Sequence, residues 1–196
     1  MHEHPPHDPA VKTKALEALL VEKGLITSAA IDEVVKNYEE DIGPMKGAQV
    51  VARAWTDTNY KKRLLDDGRS AVAELEFIER QGAELVVVEN TLEVHNIVVC
   101  TLCSCYPWDV LGLPPSWYKS YAYRSRAIRE PRVILSEFGL NLPESVEVRV
   151  WDSNSDIRYM ILPRRPAGTR GFSRKKLAAL VTRDSMIGAG IANAPD

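Results

Sequence analysis

The chain has 196 residues, 45% of them hydrophobic, with a formal net charge of −2 and three cysteines. This length and apolar content suit one large domain or a domain with an arm. The near-neutral charge gives no field for nucleic acid or an anionic membrane, so we expect neither as a partner. No signal-peptide pattern or membrane-length apolar run occurs, and unpaired, clustered cysteines are typical of reducing compartments. We therefore expect a cytoplasmic protein.

Helical patterns dominate the first 80 residues. The segment 1–9 holds three prolines and three of the four histidines, and we predict that it is a disordered tail. Apolar residues at helical spacing predict helices over residues 11–23, 28–38, 47–55, 60–66 and 71–77, with Thr27 capping the second. Five helices in this stretch predict a helical arm over residues 1–80 and a separate domain over residues 81–196.

Short apolar runs predict strands after residue 81. They cover residues 85–88, 95–99, 145–150 and 157–162. The last two flank a turn at residues 152–155 and are predicted to form a hairpin. Helices are predicted over residues 121–129, 131–138 and 172–181, the last of them capped by Ser173. Helices and strands in separate runs predict the α+β class.

All three cysteines lie within six residues, directly after the predicted strand 95–99. Cys100, Cys103 and Cys105 form a CxxCxC pattern with no other cysteine to pair with. Sulfurs at this spacing can converge on one point, and converging thiolates usually bind a soft or borderline metal ion. Three prolines in residues 107–115 stiffen the segment that follows. The pattern therefore predicts a metal site in a rigid loop.

The residues alone leave two other interpretations of the cysteines open. A structural zinc site needs four ligands, and the sequence contains no second CxxC and no HxxxH. His95 is the only histidine outside the tail, and a lone strand histidine is more often half-buried or at the surface than a ligand. Three reduced thiols without a metal are the other alternative, although thiolates crowded into one turn repel each other unless a cation neutralises them.

Blocks of sequence around the cysteines carry a specific resemblance. The first is CTLCSC at residues 100–105, followed by YPW at 106–108, LGLPP at 111–115 and WYKS at 117–120. Further blocks are EKGLI at 22–26, IGPM at 42–45, YRSR at 123–126, EPR at 130–132, VRVWDS at 148–153, IRY at 157–159, RPAGT at 165–169 and DSMIG at 184–188. Together they cover nearly the whole chain and resemble the α subunit of nitrile hydratase, cobalt type.

The resemblance implies a non-corrin Co(III) ion, with Fe(III) the alternative, bound through the motif. Its ligands would be the sulfurs of Cys100, Cys103 and Cys105 and the deprotonated backbone amides of Ser104 and Cys105. Family members oxidise two of the sulfurs, which here would make Cys103 a sulfinate and Cys105 a sulfenate. Five protein donors leave one octahedral position open, as catalytic metals require. Thr101 indicates cobalt, because iron-type members usually have serine there.

The resemblance also implies the reaction and the catalytic residues. The reaction is hydration of a nitrile to an amide, with Cys105, Cys103 and Ser104 as catalytic residues. Trp108 is predicted to line the substrate pocket, with ordinary core packing as its alternative, and Gln81 stands where iron-type relatives have a pocket glutamine. The nucleophile, whether water or the sulfenate oxygen, stays open.

The implied partners and architecture extend beyond this chain. The expected partners are a β subunit that supplies two arginines to the anionic centre, a small activator protein that loads cobalt, and a small nitrile. The implied fold is a helical arm that embraces the β subunit, followed by a layered α-β-β-α domain with mixed sheets. Two rival functions are a thiocyanate hydrolase metal subunit, in which arginine is expected at position 108, and a non-catalytic zinc or metal-binding module.

Overall fold

The computed structural model describes residues 9–36, 44–76 and 82–195. The chain divides into two compact units, Met1–Asp41 and Ile42–Asp196. In the first unit, helix α1 (Pro9–Glu22) is followed by α2 (Ser28–Lys36), and Thr27 caps α2 by accepting a hydrogen bond from the Ala30 N–H. The predicted disordered tail, apart from Pro9, and the predicted end of the second helix near residue 38 lie outside the described residues.

The second unit begins with three consecutive helices, α3 (Met45–Thr56), α4 (Thr58–Asp66) and α5 (Gly68–Ala73). Two aspartates separate them. The Asp57 and Asp67 side chains accept hydrogen bonds from the backbone N–H groups of Tyr60 and Ser70, the third residue of the helix that follows each aspartate, and so start new helices. Helix α5 therefore begins at Gly68, before the predicted start at residue 71. Helices α4 and α5 pack on the first strand, and α3 packs on a helix near the chain end, α9 (Arg174–Ala178).

Four strands form two parallel pairs. Strand β1 (Glu84–Glu89) pairs with β4 (Ile157–Leu162), and β2 (Val94–Val99) pairs with β3 (Glu147–Asp152). The predicted hairpin of the last two strands is therefore wrong, although Asn154 does form the predicted turn between them. Each of these strands joins a separate upstream strand whose apolar residues enter the core. Both described sheets are two-stranded and parallel, rather than mixed.

The remaining helices are short. They are α6 (Trp108–Leu111), a 3₁₀ helix (Ser116–Lys119), α7 (Tyr121–Arg126), α8 (Pro131–Glu137), α9 (Arg174–Ala178) and α10 (Arg183–Ile187). Ser173 caps α9 as predicted. The sequence patterns did not predict α10, because five residues are too few to show helical periodicity; a capping box between Thr182 and Ser185 starts it. Helices and strands together confirm the mixed helix and strand class.

The core of the second unit surrounds the end of strand β2. Ile97, Val99 and Cys100 have no exposed surface, and Tyr118 and Tyr123 are buried beside them. The Tyr123 hydroxyl donates to the Val98 carbonyl at 2.5 Å, which ties α7 to the strand. The segment that carries the cysteines thus starts from a fixed, close-packed point. Within the described parts of the chain, no helix is long and apolar enough to cross a membrane.

Candidate metal centre

The three cysteine sulfurs converge at the end of strand β2. The Sγ atoms of Cys100 and Cys103 are 3.5 Å apart, and those of Cys103 and Cys105 are 3.2 Å apart. All three sulfurs lie within 4.8 Å of one another. The convergence that the CxxCxC spacing predicted is therefore present in the structure.

Local hydrogen bonds and burial position each sulfur differently. Cys100 continues from Val99 into the core, and its sulfur accepts a hydrogen bond from the Cys103 N–H at 3.2 Å, which closes the first turn of the loop. Cys100 is buried, Cys105 is half-buried and Cys103 is exposed. The cluster therefore has one cysteine protected in the core and two that are more accessible.

The spacing of the sulfurs tests whether a metal ion fits. Two sulfurs about 2.3 Å from one ion lie about 3.3 Å apart at a right angle and about 3.8 Å apart at the tetrahedral angle. The separations of 3.5 and 3.2 Å lie within or close to this range. The sulfurs are therefore spaced so that one ion can bind them together.

His95 does not provide a fourth ligand. Its Nε2 lies 2.8 Å from the Gly188 carbonyl oxygen and its Nδ1 lies 3.3 Å from the Asn90 side-chain nitrogen, so both ring nitrogens are engaged away from the cysteines. Among the described residues, the three cysteines are the only cluster of potential metal ligands. A closed four-ligand zinc site is thus not assembled from the described part of this chain.

Two side chains from other elements hold the cysteine loop in place. Asp152, the last residue of β3, accepts hydrogen bonds from the Thr101 N–H at 2.9 Å and the Thr101 hydroxyl at 2.6 Å. The Tyr118 hydroxyl donates to the Cys105 carbonyl at 2.9 Å. These contacts fix the loop at both ends of the motif, so its sulfurs are pre-positioned before any ion binds.

Asp152 and Arg158, two described residues on either side of the turn between β3 and β4, do not form an ion pair with each other, because Asp152 binds Thr101. Burial is the main cause that raises the pKa of Cys105, and the nearby Arg158 guanidinium partly opposes this rise electrostatically. The Nε and Nη1 atoms of Arg158 are buried and have no hydrogen-bond partner in the described part of the chain. Arg158 is therefore available as a positive charge beside the cysteine cluster.

Cys103 and Cys105 have opposite pKa shifts because their sulfurs share a hydrogen bond. The Cys105 thiol and then the Ser104 N–H donate to the Cys103 sulfur and lower the pKa of Cys103 to about 7. Burial, and then the bond to Cys103, raises the pKa of Cys105 to about 12. Cys103 is consequently the one of these two thiols that ionises first and the more reactive towards an incoming ion or oxidant.

Of the two predicted pocket residues, the structure describes Trp108 and not Gln81. Trp108 is half-buried in α6, packs against the core, and lies with its ring 5.8 Å from the Lys119 ammonium nitrogen. Its role in a pocket remains a prediction. Gln81 lies outside the described residues.

Three further residues contact the cysteine loop, and the sequence patterns gave none of them a role at the site: Asp152, Tyr118 and Arg124. Their positions depend on tertiary contacts, which local patterns do not specify. All three lie within the blocks of resemblance.

Comparison with known proteins decides which family carries this centre. The family model of the nitrile hydratase alpha chain matches residues 7–190. The chain belongs to this family. The match includes the cysteine loop and every described helix and strand, so the predicted resemblance is confirmed.

Individual members of the nitrile hydratase family agree with this assignment. The low-molecular weight cobalt-containing nitrile hydratase subunit alpha of Rhodococcus rhodochrous is 56% identical, covering 95% of this chain and 90% of the relative. A solved mutant of the Fe-type nitrile hydratase from Comamonas testosteroni Ni1 has a TM-score of 0.87 at 43% identity, covering 96% and 93% of the two chains. Thiocyanate hydrolase subunit gamma of Thiobacillus thioparus is 42% identical, covering 90% and 77%.

Proposed function

We propose that this chain is the metal-binding α subunit of a cobalt nitrile hydratase, which hydrates nitriles to amides together with a β subunit. The observation that carries the proposal is the convergence of Cys100, Cys103 and Cys105 in a chain 56% identical to a cobalt-containing relative. Cobalt rather than iron follows from that relative and from Thr101. The trivalent oxidation state is part of the proposal, because an octahedral ion with anionic sulfur and amide donors favours it.

The proposed ligands are the three sulfurs and the backbone nitrogens of Ser104 and Cys105. We propose a sulfinate at Cys103, a sulfenate at Cys105 and an unmodified thiolate at Cys100. Exposure supports this pattern, because Cys103 is exposed and Cys105 half-buried whereas Cys100 is buried. Cysteine oxidation requires access to the oxidant, so the two outer sulfurs are the ones expected to gain oxygen.

The chemistry of the proposed centre divides between the ion and the protein. The ion supplies Lewis-acid activation of the nitrile or of water. Cys105 is half-buried beside exposed Cys103, and we propose that an oxygen on its sulfur either accepts a proton from the attacking water or itself attacks the nitrile carbon. In the first route the oxygen of water ends on the nitrile carbon. In the second route the sulfenate oxygen ends there, its S–O bond breaks, and the oxygen of water restores the sulfenate; in both routes the two hydrogens of one water end on the nitrogen. Ser104 provides a ligand nitrogen, and its hydroxyl can donate to an oxidised sulfur.

A β subunit is part of the proposal because the ligand set is strongly anionic. Three sulfurs and two amidates bring about five negative charges to a trivalent ion, so the centre needs cations and donors around it. This chain contributes Arg158 and Arg124, and we propose that arginines of the β subunit supply the rest. Leu102 and Tyr121 beside the motif are 80% and 84% exposed, which fits a face that a partner covers.

The wider assembly is proposed on the same family basis. We propose that residues 1–80 form the arm that embraces the β subunit and that the domain 81–196 adopts the α-β-β-α layering. Exposed apolar side chains in the first unit, Leu16, Leu19 and Leu25, support the arm. We also propose a small accessory protein that loads cobalt, and a cytoplasmic location, where thiols stay reduced until they are loaded.

The rival substrate, thiocyanate, is distinguished by the pocket. We propose that the apolar Trp108, with Gln81, favours the organic group of a neutral nitrile over a small anion. The 42% identity to thiocyanate hydrolase subunit gamma, against 56% to a nitrile hydratase subunit, points the same way.

The test of the function is a substrate comparison on the purified α/β complex. Propionitrile, benzonitrile and thiocyanate are supplied at equal concentration, and amide formation and thiocyanate loss are followed separately, with Cys105→Ala as the inactive control. We expect amide formation to exceed thiocyanate turnover by at least about tenfold, the order of discrimination that a pocket of different polarity gives. Faster thiocyanate turnover, or no turnover of either class by the cobalt-loaded complex, would contradict the proposal.

A further inference from the structure

Arg124 reaches from helix α7 to the backbone of the cysteine loop. Its Nη1 donates to the Cys103 carbonyl at 3.2 Å and to the Thr101 carbonyl at 3.4 Å. The guanidinium carbon lies 4.7 Å from the centre of the Tyr121 ring, which helps to hold the group in place. Arg124 therefore brings a permanent positive charge to the loop that contains the proposed ligands.

No carboxylate in the described part of the chain neutralises the positive charge of Arg124. Its Nε is buried and has no hydrogen-bond partner among the described residues, and no ion pair in that part of the chain includes it. Neighbouring Arg126, by contrast, is paired with both Glu130 and Glu137. A half-buried guanidinium that lacks a counter-charge fits a site where negative charge arises only when a ligand binds.

The Cys103 carbonyl belongs to a peptide with a special role in the proposed ligand set. It shares its peptide unit with the Ser104 nitrogen, which is one of the two proposed backbone ligands. When that nitrogen binds the ion, its proton passes to solvent and the resulting negative charge is shared between the nitrogen and the Cys103 oxygen through amide resonance. A guanidinium bonded to that oxygen stabilises the charged form of the peptide more than the neutral one.

We propose that Arg124 is a positioning residue for cobalt loading, holding the Cys103–Ser104 peptide and stabilising the negative charge that this peptide acquires as a ligand. The inference rests on the proposed function, since it takes the Ser104 nitrogen as a ligand. It goes beyond that function because the positive charge that stabilises the Ser104 nitrogen as a ligand comes from Arg124 of this chain rather than from the partner subunit.

Two neighbouring groups serve other parts of the loop. The Tyr118 hydroxyl bonds to the Cys105 carbonyl, whose peptide nitrogen belongs to Tyr106 and is not a proposed ligand. The Nε and Nη1 atoms of Arg158 make no hydrogen bond to any described residue, so they do not bind the loop backbone. Of these three groups, Arg124 is therefore the one that stabilises negative charge on the Cys103–Ser104 peptide.

Three variants of the full α/β complex, each produced with the cobalt-loading protein, test the proposal. Arg124→Gln removes the charge, Arg124→Lys keeps a charge without the planar fork, and Arg129→Gln is the matched control. Arg129 is an exposed arginine that bonds to the Ser125 carbonyl at 3.0 Å, outside the cysteine loop. The measurements are cobalt per chain after a fixed loading time, the sulfur-to-cobalt absorption band, and thermal unfolding of each complex.

We expect Arg124→Gln to lower cobalt content by about tenfold or more, the loss typical of removing a hydrogen bond to a charged group. Arg124→Lys should retain clearly more cobalt than Arg124→Gln and show a shifted absorption band, because a point charge replaces the fork. Arg129→Gln should match the unmodified chain. If the Arg124→Gln variant does not fold, the Arg124→Lys variant provides the test: a shifted sulfur-to-cobalt absorption band supports the role of Arg124, and an unshifted band contradicts it.

Two results would overturn the inference alone. One is equal cobalt content in the unmodified complex and in the Arg124→Gln complex. The other is equal loss of cobalt in the glutamine and lysine variants with an unshifted band in the residual loaded lysine protein, which would mean that Arg124 only shapes the loop. An unmodified α/β complex that takes up no cobalt would instead contradict the proposed function, so the two failures are distinguishable.

Discussion

At the scale of single residues, Asp152 shows how strand register completes the cysteine loop. In the parallel pairing of β2 and β3, Val99 lies opposite Asp152, so the carboxylate stands beside the first residues of the loop. It binds both the N–H and the hydroxyl of Thr101. The cysteine spacing itself was readable from the sequence, because it is local. The role of Asp152 was not, because it depends on pairing two strands about fifty residues apart.

His95 has a structural role that the sequence left open. Its Nε2 contacts the Gly188 carbonyl, and its Nδ1 accepts from the Asn90 amide, whose oxygen is already used by the Asn96 N–H at 2.7 Å. Asn90 therefore cannot turn its oxygen towards His95 without losing that bond. Burial lowers the pKa of His95, since the charged imidazolium would be desolvated and its second N–H would face another donor.

This arrangement predicts a stability loss in acid. Because the pKa of folded His95 lies below the unfolded value of about 6.5, the unfolded chain binds more protons as the pH falls below about 6.5. The midpoint of thermal unfolding should therefore drop from pH 7 towards pH 5, more in the unmodified chain than in His95→Gln. The other three histidines are present in both proteins and cancel in the difference. Parallel pH profiles would show that His95 is not the group responsible.

At the scale of elements, α10 is fixed to strand β2 by the close approach of Gly188. This residue ends α10 in the left-handed region at φ +91°, and an added Cβ would lie 2.0 Å from the Asn96 oxygen and 2.8 Å from the Ile97 Cα. Only glycine allows this contact between the helix end and the strand. The carbonyl of the same residue faces His95, so the glycine sets both the packing and the polar network.

Substitution of Gly188 should be far more damaging than substitution of a glycine with similar backbone geometry. Gly139 follows α8 at φ +83° and has nothing within 4 Å of its added Cβ. Gly139→Ala should lower the free energy of unfolding by about 1 to 2 kcal/mol, the left-handed strain alone. Gly188→Ala adds backbone overlap and should lose at least about 2 kcal/mol more. Denaturant unfolding of both variants measures this, and equal losses would refute the packing argument.

Local signals predicted the elements better than their pairing. Ser173 and Thr27 marked helix starts correctly, because a cap is a contact within three residues. The predicted hairpin was wrong because the turn at Asn154 is compatible with either local pairing or divergence of its two strands. The choice between them is made by the apolar residues of β1 and β2, whose burial no local pattern specifies.

At the scale of the whole molecule, the described surface carries exposed apolar side chains in both units, as is typical of a subunit that binds a partner. Leu16, Leu19 and Leu25 of the first unit are exposed, and so are Leu102 and Tyr121 beside the cysteines. Exposed apolar side chains of this kind, taken within each unit separately, are typical of interaction surfaces. Sequence patterns alone yielded only the α+β class and a metal loop. The family assignment supplied the reaction and the β subunit, and we propose that this second chain completes the substrate pocket and supplies counter-charges.

The most direct test of the account is metal analysis of the α/β complex together with the mass of the peptide that contains Cys100, Cys103 and Cys105. We predict about one cobalt per α chain and a peptide carrying three added oxygens, two on Cys103 and one on Cys105. Cys103→Ala should abolish both the cobalt and the activity. Zinc with three unmodified thiols, or full cobalt content and activity in Cys103→Ala, would contradict the account.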